Sequence, residues 1–383
     1  MKKKNKNRED SFFNSVAQLI ENARQHVGRT VDLTMCITYF EIGRMIVEEE
    51  QGGQARAEYG SKLLSVLSEY LNERFGKGFS ETNLRNARKF FQIYSPSIQQ
   101  KPSAKFENNE LSDSIRQKPS SEFKNNELLT PIRQTPSAES YPFRLGWSHY
   151  QVLMRIKDEH ERRFYEIESI NQQWSVPVLK RQYNSSLYER LALSRDKDGV
   201  MKLAQEGQTV EKPKDILKNP IVLEFLGLTE DVLYSETDLE SAIIEKLSKF
   251  LLELGKGFLF ESRQRRFTFD EKHFFVDLVF YNRLLDCYVL IDLKTSELKH
   301  QDLGQMQMYV NYFDRFVKTD KENPTIGILL CKEKTDSIVE LTLPTDANIY
   351  ASEYNLYLPE KSLLQQKLAE WVKEFEEARS KRM

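Results

Sequence analysis

The chain has 383 residues, room for two or three domains with cores of their own, and its 56 basic against 58 acidic residues leave a formal charge of −2. That balance neither demands nor excludes a nucleic-acid partner, so any basic surface must be local. Cys36, Cys287 and Cys331 lie far apart without metal-ligand spacing, and fit small core residues in a reducing cytoplasm. No apolar run approaches the roughly 18 residues that span a bilayer. The basic start MKKKNKNRED leads into an amphipathic pattern rather than a signal-peptide core. A cytoplasmic protein with no membrane association is expected.

Residues 10–193 read as a helical domain. Phe12, Val16, Leu19, Ile20 and Ala23 recur at helical spacing, as do apolar residues over Leu33–Val47 and Tyr59–Phe75. Ser80 is placed to cap a helix over Glu81–Tyr94, which carries Arg85, Arg88 and Lys89 on one side. A short basic helix after a glycine-containing turn is a candidate to lie in a DNA groove, against the plainer reading of a solvated face. Residues 97–137 interrupt this domain. Ile98, Ile115 and Ile132 repeat at intervals of 17, as do Pro102, Pro119 and Pro136. With so few apolar positions per repeat the segment cannot bury a shared core, and it reads as a disordered insertion.

Helices are expected again near Trp147–Ile156, Asp158–Ile170 and Ser175–Leu191, the last with Pro177 at an early position. Trp147, His149 and Trp174 are read as packing residues. The charged stretch 194–230 reads as a connector, and 231–383 as a second domain of helix, three strands, helix, strand, strand and closing helix. Leu239–Leu254 is expected as one helix, Phe258–Glu261 as the start of a strand, Phe274–Tyr281 and Cys287–Leu293 as a hairpin. A helix over about 301–316, a strand covered on both faces at Thr325–Cys331, a strand at Ala347–Leu358 and a helix at Lys361–Arg379 complete it.

The hairpin carries the chemistry. Asp277 and Asp292 occupy positions where a buried strand ordinarily carries apolar residues, and Lys294 lies two residues beyond Asp292 on the same face. Two acids and a lysine on one sheet surface point to a divalent cation, Mg²⁺ or Mn²⁺, and a phosphodiester bond. Hard oxygen ligands suffice for such an ion, here Asp277, Asp292 and the backbone carbonyl of Leu293, with waters completing the shell. Lys294 is expected to orient or deprotonate the attacking water, or to neutralise the developing anion; a neighbouring cation would lower its pKa. Arg263, Arg265, Arg266 and Arg283 flank this region, and Arg263 and Arg266 are candidates to hold a phosphate backbone.

These residues resemble the PD-(D/E)XK nuclease superfamily, with Asp277 and Asp292-Leu293-Lys294 as its motif. Gln305 and Tyr309 in GQMQMY are similar to the Q-x-x-x-Y element of its RecB-like branch, in which the glutamine lies close to the metal site. FLLELGKGF, VDLVFYN, VLIDLK, NPTIGILLC and LYLP, with YFEIGRMIVEEEQ, GFSETNLRNARKFF and WSHYQVLMRI upstream, resemble the YhcG-like family over nearly the whole chain. Val276 stands where the motif has proline, and Asp292 where glutamate is more usual. The resemblance implies an α+β multidomain protein. An all-helical, DNA-binding N-terminal domain would precede an α/β restriction-endonuclease-like domain with a central mixed sheet flanked by helices. It also implies an acid on the helix before the first core strand, Glu240 or Glu245, with Glu240 favoured as catalytic residue and metal ligand. The function implied is a Mg²⁺-dependent DNA endonuclease in defence, restriction, recombination or repair, with a homodimer or partner proteins completing the machinery. The competing reading is a catalytically silent DNA-binding or scaffold protein that keeps the fold.

Overall fold

The structure, a computed structural model, describes residues 28, 30–50, 57–99, 142–193, 197–228, 234–344 and 346–380. The helix expected around Phe12–Ala23 and nearly all of the 97–137 repeat lie outside the described residues. The chain forms two compact units, Met1–Lys157 and Asp158–Met383. No described helix is long and apolar enough to cross a membrane.

In the first unit α1 spans 30–50, α2 Ala57–Phe75, α3 Glu81–Gln99 and α4 Trp147–Leu153. Gly76 and Gly78 adopt φ of 80° and 142° between α2 and α3, a backbone turn that glycine makes without strain. Ser80 Oγ then accepts the Asn83 N–H at 3.3 Å, which starts α3 as its capping position predicts. The helix runs past Tyr94 and through Pro96 to Gln99. Helix α1 crosses α3 so closely that a Cβ on Gly43 would stand 2.0 Å from the Ala87 carbonyl oxygen. Phe40, Phe90, Phe143 and Tyr150 form the aromatic centre. Trp147 stacks on Tyr39 at 4.5 Å and donates its indole N–H to Asn83, a packing role.

In the second unit α5 (Glu159–Asn171), α6 (Val176–Asn184), α7 (Leu187–Leu193) and α8 (Lys197–Glu206) precede β1 (Ile221–Val222). Then follow α9 (Glu236–Glu245), α10 (Leu247–Leu254), β2 (Phe258–Phe269), β3 (Lys272–Asn282) and β4 (Cys287–Glu297). After these come α11 (His300–Phe316), β5 (Ile326–Glu333), α12 (Asp336–Thr342), β6 (Ile349–Asn355) and α13 (Lys361–Ser380). The sheet order is β1-β6-β5-β4-β3-β2. β2, β3 and β4 are antiparallel, whereas β4, β5, β6 and β1 are parallel, so the sheet is mixed. Helix α11 makes the crossover that a parallel β4–β5 pair needs.

Both faces are covered. Leu278, Phe280, Val289, Ile291, Ile328 and Leu330 pack with Leu239, Ile243, Phe250 and Leu254 of α9 and α10. Val279, Leu290, Leu329 and Cys331 pack with Leu303, Met306, Val310 and Phe313 of α11. That double burial explains the unbroken apolar runs of β4 and β5.

Two helices read as continuous are each divided. Residues 239–254 break at Lys246, whose φ and ψ are −113° and 32°, and whose ammonium donates to the Leu226 carbonyl at 2.8 Å. The first half starts earlier than expected, capped by Ser235 and Asp238 reciprocally. Residues 176–191 break at Ser186, φ 54°, where Arg190 Nε donates to the Ser185 carbonyl at 2.8 Å. At Ser186 a buried cation takes a carbonyl that a continuous helix would use internally, and at Lys246 the side chain reaches out to a separate turn; helical periodicity registers neither. β2 is also far longer than its expected start at 258–261. Its centre, Glu261 to Arg266, is charged because the strand lies at the sheet edge, where apolar alternation is not required.

A buried ionic cluster fastens α6 and α7 to α10. Glu253 receives Arg190 at 2.5 Å, Arg181 at 2.7 Å and the Val222 N–H at 3.0 Å, with Arg190 and Glu253 fully buried. Burial alone would raise Glu253, but Arg190, Lys218 and Arg181 outweigh it and hold it down to about 2.

Candidate active site

The antiparallel ladder between β3 and β4 pairs Leu278 with Ile291. Asp277 and Asp292 are the next residues on the two strands, near enough for the Asp277 charge to act on Asp292. Here regular pairing ends: instead of another ladder bond, the Leu293 N–H donates to Asp277 Oδ2 at 2.8 Å. An extended residue sends its N–H and C=O to the same strand edge, so the Leu293 carbonyl is directed to this side as well. Side-chain alternation also stops here, since Val276 packs with α11 while Leu278 and Phe280 pack with α9 and α10.

Asp292 is 4% exposed and stands 2.7 Å from Lys294 Nζ. Burial first, and the Asp277 charge second, push Asp292 up to about 7 despite the lysine. Lys294 is shifted upward in the metal-free site, whereas the lowering expected from the sequence applies with a cation bound. Burial would lower it, but Asp292, Glu236 and Asp277 outweigh burial and raise it. Without a metal beside it, Lys294 is therefore a fixed ammonium. Glu236, at the start of α9, lies 3.6 Å from Lys294 and is a rim acid that the sequence did not single out.

Of the two helix acids, Glu240 is buried and Glu245 exposed. Glu240 Oε2 accepts from Gln264 Nε2 at 2.5 Å, while its buried Oε1 makes an ion pair with Arg263 Nε at 3.0 Å but accepts no hydrogen bond. The same Gln264 amide reaches Asp277 Oδ1 at 3.0 Å, so Glu240 is joined to the site through Gln264. Gln264 was not anticipated; it sits in a charged strand with no apolar pattern to index it. On α11, the Gln305 amide donates to the Tyr309 hydroxyl, as their four-residue spacing predicts. Tyr309 is 1% exposed, and burial raises its hydroxyl to about 12, with Asp292 and Asp277 also acting on it. Gln305 itself is exposed.

The basic candidates are mostly engaged. Arg85 pairs with Glu81 at 2.7 Å and Arg88 with Glu50 at 2.6 Å, while Lys89 is exposed. Arg263 is held by Glu240, Arg265 pairs with Glu261, and Arg266 meets His273 at 2.9 Å. These contacts use only part of each guanidinium's five N–H donors, so phosphate binding would add to them or exchange them.

The donor set suits a hard divalent ion. Asp277 is gripped by one donor on each oxygen and keeps free lone pairs on both. Its buried neighbour Asp292 carries a charge that Lys294 does not fully compensate. Among the described residues no three His, Cys, Asp or Glu side chains form a ligand cluster. The protein would thus supply two carboxylates and the Leu293 carbonyl, leaving the rest of the shell to water, as Mg²⁺ prefers.

An α+β chain with a hairpin of this kind and a D…D-x-K set belongs with the restriction-endonuclease-like nuclease domains. Residues 214–369 match the YhcG PDDEXK nuclease domain, and residues 15–190 match the DUF1016 N-terminal domain. The chain is 39% identical over 372 residues to the Escherichia coli (strain K12) protein "Putative nuclease YhcG", covering 93% of this chain and 92% of that one. It therefore belongs to the YhcG family of PD-(D/E)XK proteins. Two solved structures are also similar in part. A repair endonuclease from Pyrococcus abyssi has a TM-score of 0.23 at 19% identity over 34% of this chain. The EndoMS-dsDNA2 complex has 0.24 at 17% over 35%. The match spans half of each of those chains.

Proposed function

We propose that this nuclease-family protein is a divalent-metal-dependent deoxyribonuclease that cuts internal phosphodiester bonds, in defence, restriction, recombination or repair. The observation that carries the reading is the buried Asp292 beside Asp277, with Lys294 only 2.7 Å away. Two adjacent acids in a low-dielectric site are costly without a cation, and an enzyme has reason to retain them only if the ion is used. Asp277, Asp292 and the Leu293 carbonyl would hold Mg²⁺ or Mn²⁺. When bound, the ion would lower the pKa of a coordinated water and spread charge on the phosphate oxygens.

The residues of the chain supply the remainder. Lys294, kept protonated by its acidic neighbours, orients water and balances charge that develops on the phosphoryl oxygens. Tyr309 and Gln305 line the α11 side as a hydrogen-bonded pair. Arg266 and Arg263 on β2, and the α3 face of Arg85, Arg88 and Lys89, are proposed contacts to the DNA backbone. With one such site per chain, cleavage of both strands would favour a second copy in a homodimer.

The test is a cleavage panel of linear, circular, branched and single-stranded DNA with Mg²⁺, Mn²⁺ or EDTA, in a reducing buffer. Nicking or linearisation of circular DNA with metal, and none in EDTA, is expected. Metal-independent cleavage, or no cleavage of any form with either metal, would overturn the proposal.

A further inference from the structure

We propose that Gln264 is a positioning residue of the nuclease site: one amide, shared between Glu240 and Asp277, fixes the Asp277 carboxylate for its cation. The inference rests on the metal-dependent reading above and adds a residue to it. Gln264 Nε2 lies 2.5 Å from Glu240 Oε2 and 3.0 Å from Asp277 Oδ1. Both partners only accept when ionised, so the atom between them must be the amide nitrogen, which has two hydrogens to give.

The backbone is arranged for this contact. Consecutive side chains of a regular strand point to opposite faces, yet Arg263 and Gln264 both reach Glu240. The exception is possible because Gln264 adopts φ +46°, inside a strand whose neighbours Arg263 and Arg265 remain paired with Leu278 and Val276. A glutamine in that conformation is unfavourable, and strain of this kind persists where the surroundings impose it. Here the surroundings are two acids. Asp277 is thereby clamped from both sides, Oδ1 by Gln264 and Oδ2 by the Leu293 N–H. Glu240, held in turn by Arg263, anchors the amide from behind. Outer partners that orient a ligating carboxylate commonly govern metal affinity by about 10–100-fold.

The substitutions that separate this role from structure are Gln264→Gly and Gln264→Asn. Glycine accepts the left-handed backbone without strain but has no amide; asparagine tolerates the backbone but is one methylene too short to span both acids. Mn²⁺ binding by the DNA-free full chain is measured by titration calorimetry, with melting temperature in EDTA as the structural control. For Gln264→Gly the expectation is Mn²⁺ affinity lowered about tenfold at an unchanged or higher melting temperature, with cleavage restored at saturating Mn²⁺. Gln264→Asn should fall between glycine and wild type. Unchanged Mn²⁺ affinity in Gln264→Gly overturns the assignment. So does a loss of affinity accompanied by a fall in melting temperature in both variants. If wild type itself binds no Mn²⁺, the metal reading fails, and the positioning role fails with it; wild type binding normally while Gln264→Gly binds equally well removes Gln264 alone.

Discussion

Asp292→Asn is expected to abolish metal-dependent cleavage, by about three orders of magnitude or more, while making the metal-free protein more stable at pH 8. The first half follows from losing a carboxylate that would hold the ion, when such an ion contributes several kcal/mol of charge stabilisation. The second half follows from the titration of Asp292. Burial and Asp277 raise its folded pKa to about 7, above the ordinary value of 3.8. An acid raised on folding contributes stability that is complete below its unfolded pKa and is lost as pH rises through its folded pKa. Metal-free wild type should therefore lose stability between about pH 4 and pH 8, on the order of 2–4 kcal/mol from this group. The asparagine variant should lack that component. Melting curves in EDTA across this range are the check. A wild-type profile that rises towards pH 8, or that coincides with the variant's, would contradict the account of the site.

Lys294→Met should separate catalysis from metal binding. The methionine keeps the length and apolar stem of the side chain but removes the ammonium 2.7 Å from Asp292. Breaking a buried pair by removing one partner costs about 3–5 kcal/mol when the remaining charge cannot adjust. Asp292 can adjust by taking a proton, so the fall at pH 8 should be smaller and should lessen as pH is lowered. Divalent ions should offset it, because a ligand bound only by the folded state stabilises that state. Mn²⁺ affinity should be maintained or increased, since a competing cation has gone. Cleavage should still fall by about a hundredfold or more, in line with loss of one preorganised group that balances transition-state charge. Calorimetric titration with Mn²⁺ beside single-turnover cleavage distinguishes the two effects. Loss of Mn²⁺ binding together with activity would show Lys294 to be a support for the acids rather than a participant in the chemistry.

The contrast between these variants also explains what the sequence disclosed and what it withheld. Asp277, Asp292 and Lys294 were legible because each breaks a strongly apolar strand, and the contacts at the end of the β3–β4 ladder bring them together. Gln305 and Tyr309 were legible through the resemblance of GQMQMY to the Q-x-x-x-Y element, whose four-residue spacing puts both on one helix face. Gln264 was not, because β2 is a charged edge strand and the residue's role depends on a backbone angle of φ +46°, which no side-chain pattern encodes. The metal-free state of the lysine was not legible for a related reason. Spacing placed it near the acids, but its pKa depends on the balance between burial and the charges of Asp292, Glu236 and Asp277. The helix breaks at Ser186 and Lys246 were hidden likewise, since side-chain cations bonded to carbonyls accompany them, Arg190 to Ser185 and Lys246 to Leu226. Local periodicity identified the elements and the candidate set; polar contacts that periodicity does not encode decided the details.

The central claim is that Asp277 and Asp292 hold one divalent cation. Anomalous diffraction from crystals soaked in Mn²⁺ tests it most directly, with Asp292→Asn crystals treated in parallel. The account predicts a manganese peak within coordination distance of both carboxylates and the Leu293 carbonyl in wild type, absent from the variant. A wild-type site with no peak, or a peak that persists undiminished in Asp292→Asn, would contradict it.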